Sequence, residues 1–288
     1  IVIHRLKNFF LSKSDEFLIF AFESLQMVAF YCNYTMIVGK LTALLNNVFI
    51  GMNASIGNLV AEGNEINIKK VFWEFTTFRY WITGVFIISL TFLINPIISW
   101  WLGPQYVLEN HVVILILINM YIMLTRVSVD LFINAYGLYD DIWAAYTEGI
   151  INVTITLVVG FFYGLIGILL GKTISLLFLV VLWKPYYLYK RGFKTNISPY
   201  WHNIIKHICI LITYLLINTI INITLDWSIE ASLTGIAKYC FIILFPIILL
   251  YSLTIYKMCP GAKELIQRIP LNRLKNMQVW DKIRIKCL

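Results

Sequence analysis

The chain has 288 residues, 60% of them hydrophobic and only 13% charged, with a mean hydropathy of +0.78. Soluble domains average about 45–50% apolar and about 25% charged residues, so this composition excludes a single water-soluble core and points to a bilayer as the solvent. The formal net charge of +8 crowds one set of loops and avoids the other, which reads as a membrane topology signal and not as nucleic-acid binding.

A membrane span needs about 20 mainly apolar residues. Eight candidate segments follow in chain order, so the predicted fold is all-α, a polytopic transmembrane bundle of about eight spans. The first, Ile1 to Phe22, is poor, because it carries Arg5, Lys7, Lys13, Asp15 and Glu16. Either it is no span and lies along the membrane surface, or one of its faces lines a polar cavity. The second, Val28 to Val60, is long and polar, with Lys40, Asn46, Asn47, Asn53, Ser55 and Asn58. The third runs from Thr76 to Trp100 with Arg79 at its inner end. The fourth is Val112 to Ala135, the fifth Ile142 to Phe161 and the sixth Leu165 to Trp183. The seventh is His207 to Leu225. The eighth, Leu233 to Tyr256, has Lys238 near its outer end and Pro246 as a tolerated kink.

Loop charges orient these spans. Lys69, Lys70 and Arg79 follow the second span. Lys184, Lys190, Arg191, Lys194 and Lys206 lie between the sixth and seventh. The tail after Tyr256 adds Lys257, Lys263, Arg268, Arg273, Lys275, Lys282, Arg284 and Lys286. The alternate loops, Trp101–His111, Phe162–Gly164 and Asp226–Ser232, hold no Lys or Arg. The basic loops and both ends are therefore expected in the cytoplasm, with Lys238 the one dissenting charge. Trp73, Tyr80 and Trp81 at one end of the third span, and Trp100 and Trp101 at the other, read as interfacial anchors. The short outer loops leave no room for an outer domain. The tail mixes bases with apolar residues, which suits either an anionic inner leaflet or solvent.

Charge inside a span costs roughly 2.5–3.5 kcal/mol on insertion scales, so such residues face a bundle interior or a watery cavity. Arg126 and Asp130 share one helix face at i,i+4 spacing and are expected to pair. Helical rise from the cytoplasmic ends puts Arg126, Glu148 and Lys172 in one buried polar layer. That layer is either a site for an anionic group or a structural ion-pair cluster. Gly160, Gly164, Gly167 and Gly171 have small-xxx-small spacing, which permits close helix packing. Scattered Cys32, Cys209, Cys240, Cys259 and Cys287 form no CxxC pair, so no disulfide framework or metal site is expected, and no cofactor. The histidines His4, His111, His202 and His207 read as mostly interfacial. Asp140-Asp141 alone does not complete a glycosyltransferase site, and no other enzyme constellation is present. The polar residues at membrane depth suit a transporter better than an enzyme.

Three stretches carry a family resemblance. They are Ser14 to Ile19 followed by Val28-Ala29-Phe30-Tyr31-Cys32-Asn33-Tyr34, then Ala54 to Asn64, then Asn95-Pro96 through Trp101-Leu102-Gly103. The run Gly164 to Gly171 also fits. In this order and topology the chain resembles the C-terminal half of Wzx-type polysaccharide (O-antigen) flippases of the multidrug/oligosaccharidyl-lipid/polysaccharide exporter superfamily. The resemblance covers Ser14 to about Lys194.

The resemblance implies two six-helix lobes that rock in alternating access, driven by H+ or Na+. It implies an undecaprenyl-pyrophosphate-linked oligosaccharide as cargo, the bacterial inner membrane as location, and a polysaccharide polymerase as a partner beside membrane lipids. Residues 1–200 would be the C-terminal lobe, with the N-terminal lobe absent. Residues 201–256 would be two additional helices and 257–288 a basic cytoplasmic tail. On that expectation the chain is a fragment of a protein nearly twice as long. Arg5, Lys7, Lys13, Arg126 and Lys172 are then the cargo candidates for a cationic cavity. Asp15, Asp130 and Glu148 would balance them or carry coupling protons. A multidrug exporter of the same superfamily and a membrane polymerase or glycosyltransferase are the alternatives.

Overall fold

The computed structural model describes residues 15–49, 51–227 and 229–268. Among them all regular structure is helical. A short helix α1 (residues 15–22) leads into α2 (Leu25–Phe49), α3 (Met52–Ala61) and α4 (Glu65–Trp101). A single 3-10 turn, Pro104–Tyr106, precedes α5 (Asn110–Thr125) and α6 (Val127–Ala135). Then come α7 (Ile142–Ser175), α8 (Lys184–Tyr187), α9 (Ser198–Thr224), α10 (Leu233–Tyr239), α11 (Phe245–Met258) and α12 (Ala262–Arg268). Wide π-turns at Leu176–Trp183 and Cys240–Leu244 join neighbouring helices into continuous rods, and a third, Leu188–Phe193, carries α8 on to Lys194. The prolines Pro185 and Pro246 each follow such a stretch, where the altered hydrogen-bond pattern absorbs the missing N–H.

Six helical stretches are long and apolar enough to cross a membrane: Leu25–Asn47, Glu65–Trp101, Asn110–Ala135, Tyr146–Phe193, Ser198–Thr224 and Leu233–Met258. The fourth is two crossings. At Gly164 the backbone leaves helical geometry (φ 53°, ψ −130°), and the chain reverses there. Thr156 on one arm donates to the Ile168 carbonyl on the other at 3.4 Å. A Cβ at Gly167 would run into the Val159 carbonyl, and one at Gly171 into the Thr156 hydroxyl, so both glycines are packing requirements. Gly164 is the turn itself: only a residue tolerant of left-handed φ serves there, and Glu23 fills the space a side chain would need. The Glu23 carboxylate accepts from the Leu165 N–H at 3.0 Å, capping the second arm at its positive end.

The expected spans from the second to the eighth therefore exist, with altered ends. The second is broken: α2 ends at Phe49 and α3 restarts at Met52. The third starts earlier, at Glu65, and its 37 residues reach about 55 Å, well beyond a bilayer core of about 30 Å. The seventh also starts earlier, at Ser198. Of the first span only residues 15–22 are described, and the remainder lies outside the described residues.

Turns sort to two ends. Glu23, Leu108 and Gly164 lie at one, marked by the Glu23–Leu165 and Tyr34–Leu108 contacts. Lys69, Arg191, Lys194, Lys257 and Lys263 belong to turns and helix ends at the other, the basic face. The helix α4 packs against α5, α6, α9 and α12 and is the hub. An aliphatic core fills the middle of the bundle. An aromatic core of Phe72, Phe75, Phe132, Tyr189, Phe193 and Tyr200 closes the basic end. Tyr80 belongs to that core, 7% exposed, and not to an interfacial belt, whereas Trp100 and Trp101 are exposed as anchors should be. His207, expected at an interface, is buried in contact with the Tyr80 ring, its Nδ1 bonded to the Asn203 carbonyl at 2.7 Å. Ile217, Ile220, Ile223, Phe241, Phe245 and Leu249 are exposed along α9 to α11, as lipid-facing surfaces require.

Two measurements check this fold. Cysteines introduced at Pro104 and Asn196 are expected to label from opposite sides of the membrane; labelling from the same side would overturn the arrangement. Replacing Gly167 by Leu drives a side chain into the Val159 backbone and is expected to lower stability by about 1–3 kcal/mol, read as a lower unfolding temperature in detergent. An unchanged unfolding temperature would contradict the tight hairpin.

Candidate functional site

The second helix carries polar groups at helical spacing: Tyr31, Thr35, Thr42 and Asn46. This stripe faces α5 and the second arm of α7 and lines a crevice of about 370 Å³. Across from it stand Ile116, Asn119, Met120, Met123, Leu169 and Lys172. The far wall is fixed by amide and hydroxyl bonds. Thr173 donates to the Asn119 side-chain oxygen at 3.0 Å, and the Asn119 amide donates to the Leu169 carbonyl at 3.4 Å. Those bonds hold Asn119 in one orientation beside the opening.

Lys172 forms one pole of the crevice. Its Nζ lies 2.8 Å from Asp15 Oδ2, and the Tyr31 hydroxyl donates to the same oxygen at 3.4 Å. The lysine side chain remains 34% exposed, enough to reach a solute without leaving its partner. The residue sits eight positions past Gly164, hence about 12 Å from that turn.

Behind Asn46, outside the crevice lining, lies Arg79, a buried cation that the sequence does not announce. Arg79 is fully buried, yet its one hydrogen bond is from Nη2 to Asn46 Oδ1, at 2.9 Å. Its guanidinium stands over the Phe49 ring, 4.9 Å from the centroid, and Nε and Nη1 have no partner among the described residues. A buried cation without a carboxylate is costly. Three things offset part of that cost: the Asn46 oxygen, the ring face, and the C-terminal end of α2, where unpaired carbonyls carry partial negative charge. On the sequence Arg79 looks like one more base at a span end. The signal that α4 continues inward past it is the polar-capped start at Asn64, whose side chain accepts from the Asn67 N–H.

A second polar cluster lies nearer the basic face. Arg126 Nε donates to Asp130 Oδ2 at 2.8 Å, the pairing expected from spacing. Lys184 Nζ approaches the other oxygen, Oδ1, at 2.5 Å, and Arg126 Nη1 lies 3.6 Å from Glu148. Two cations and two carboxylates thus balance, each side chain between 19% and 27% exposed. Asp141 sits alongside: burial pushes its carboxyl above the ordinary range, while neighbouring Lys184 pulls it down. Met123 links the cluster to the crevice, its sulfur 3.7 Å from Arg126 Nη1.

The single polar layer expected from sequence is therefore two. Glu148 lies sixteen residues from Gly164 and Lys172 eight, a separation of about 12 Å along the hairpin. The reason is that the second arm does not end at Trp183. It runs on through π-turns to Phe193, so depth counted from Trp183 was too shallow for Lys172. Of the expected site residues, Lys172 and Asp15 come together at the crevice. Arg126, Asp130 and Glu148 come together near the basic face. Arg5, Lys7 and Lys13 lie outside the described residues. No group of three or more metal-ligating side chains occurs among the described residues.

The charge count makes a test. Asp130→Asn leaves Arg126 and Lys184 with Glu148 and the flanking Asp141, whereas Asp130→Asn combined with Arg126→Gln removes one charge of each sign. The single variant is expected to be the less stable of the two, with a loss of about 3–5 kcal/mol as an upper figure for a dry site. Additive losses in the double variant would show that the two side chains do not share one electrostatic environment.

Compared with known proteins, the chain matches no family model, no curated protein and no solved structure.

Proposed function

We propose that this chain is part of a membrane transporter that moves an anionic, polar-headed lipid across the bilayer. The cargo is an undecaprenyl-pyrophosphate-linked oligosaccharide for surface polysaccharide, and the setting is a bacterial inner membrane. The observation that carries this reading is the crevice between α2, α5 and the second arm of α7. It is walled mostly by apolar side chains of membrane-crossing helices, with Tyr31, Thr35, Thr42, Asn46, Asn119 and Lys172 as its polar points. A lysine is rare at such depth unless it is paired or serves a solute. Hydroxyls and amides suit sugar. Lys172 suits pyrophosphate, whose negative charge would offset the cost of keeping it at that depth.

The resemblance to the flippase family supports the same reading. Within this mechanism Asp15 alternates between holding Lys172 and releasing it as cargo arrives. The network around Arg126 then serves as a charge-balanced seam between α6 and the two arms of α7, and not as a cargo contact.

Lys172→Ala is expected to lower flipping of the lipid-linked oligosaccharide in reconstituted vesicles at least ten-fold per folded protein. The double variant Asp15→Asn, Lys172→Met removes both charges together. Recovery of flipping in it would mean that Lys172 merely satisfies Asp15, and would refute the cargo role.

A further inference from the structure

The end of the hairpin rod and the start of α9 enclose a pocket that the transport reading does not use. It measures about 300 Å³ and is lined by Tyr186, Tyr189, Lys190, Thr195, Asn196 and Ile197. Its position is fixed by the chain. Residues 194–197 are the turn between the membrane-crossing stretches Tyr146–Phe193 and Ser198–Thr224, so the pocket lies at the membrane surface, on the basic face. Lys194 in left-handed conformation (φ 49°, ψ 41°) ends the rod and turns the chain. The Thr195 N–H then donates back to the Tyr189 carbonyl at 3.2 Å, which shapes the cavity wall.

Cations crowd the pocket's own segments, and the nearest carboxylates, Asp140 and Asp141, lie beyond them beside Tyr187. From Lys184 to Leu225 the sequence holds Lys184, Lys190, Arg191, Lys194 and Lys206 and no Asp or Glu. Lys184 is neutralised by Asp130. Lys190, Arg191 and Lys194 form no ion pair with any described carboxylate. Lys190 Nζ has only the Tyr186 hydroxyl at 3.1 Å and that ring's face at 5.3 Å. Asn196 spends its oxygen on the Ser198 N–H at 2.9 Å, leaving its NH2 group as a donor. The Thr195 hydroxyl adds a further donor.

From this geometry we infer that the pocket binds the phosphate headgroup of an anionic membrane phospholipid. Unbalanced cations, neutral donors and aromatic walls at interfacial depth form a set complementary to a phosphate ester whose acyl chains remain in the bilayer. Lys190 supplies the principal charge, Lys194 and Arg191 the surrounding field, and Thr195 and Asn196 the hydrogen bonds. Lipid binding here is independent of any cargo in the crevice.

The test uses the purified protein in neutral detergent, titrated with phosphatidylglycerol, phosphatidylcholine or inorganic phosphate, with binding read by native mass spectrometry and thermal shift. Phosphatidylglycerol is expected to bind and stabilise, phosphatidylcholine to do neither, and phosphate alone to compete poorly. Removing one base should weaken phosphatidylglycerol by about five-fold. The pair Lys190→Gln, Lys194→Asn should therefore weaken it by more than ten-fold; asparagine keeps the left-handed turn accessible. Lys190→Gln alone, at an exposed position, serves if the pair fails to fold. The control Lys257→Gln, Lys263→Gln removes bases elsewhere on the same face and should leave binding unchanged. Equal binding of the two lipids, full affinity in the Lys190 variant, or an equal loss in the control would each overturn the inference. Saturation by phosphate alone would overturn the lipid as the source of the anion.

Discussion

Charge held where water cannot reach it is the constraint on which this structure turns. In a hydrocarbon setting an isolated ion costs far more than any one packing contact returns, so each must be matched, shared or served by a ligand. Asp15 and Lys172 match one another across 157 residues of sequence. Arg126, Asp130, Glu148 and Lys184 balance as a foursome that ties α6 to both arms of α7. Arg79 has an amide oxygen, a ring face and the end of a helix, and no described carboxylate. The bundle is thus closed by charge balance around Asp130 and at Lys172, while Arg79, behind the crevice wall, is left incompletely balanced.

Close backbone approach makes that arrangement possible. Gly167 and Gly171 let the two arms of the hairpin lie against each other, which sets the register that carries Lys172 to the crevice and Glu148 to the basic side. Glu23 fixes the turn from outside by capping the second arm. The aromatic core around Phe72 then closes the basic end, so that Arg79 is sealed from the solvent on that side and faces Asn46. Similar economy appears at the other end, where the Tyr34 hydroxyl both donates to Asn95 at 2.6 Å and accepts from the Leu108 N–H at 3.0 Å, pinning the loop between α4 and α5.

Much of this was legible in the residues. Of the eight spans read from apolar run lengths, the second to the eighth are crossings among the described residues, because bilayer thickness imposes such runs, and loop bases sort the ends. The i,i+4 spacing of Arg126 and Asp130 predicts their contact, since helical geometry alone brings them together. What sequence could not supply was the depth of Lys172, because π-turns carry the rod beyond the apparent end of the span at Trp183. Nor could it reveal Asn46 as the partner of Arg79, or Lys184 as the fourth member of the balanced cluster. Those contacts join separate helices, and no periodicity within one helix encodes them. Arg79 in particular reads as a span-end base until α4 is seen to begin fourteen residues earlier, at Glu65.

The central claim is that the stripe Tyr31, Thr35, Thr42 and Asn46 faces a watery crevice that receives a polar anionic headgroup. The most direct measurement is the reactivity of single cysteines, placed along α2 at Thr35 and Thr42 in membranes, toward a water-soluble thiol reagent. A cysteine at Leu216 on the lipid-facing side of α9 sets the baseline. The account predicts that the α2 positions react readily, and that added lipid-linked oligosaccharide slows them while leaving Leu216→Cys unchanged. Reactivity at Thr35→Cys and Thr42→Cys as low as at Leu216→Cys, with no effect of the oligosaccharide, would contradict it.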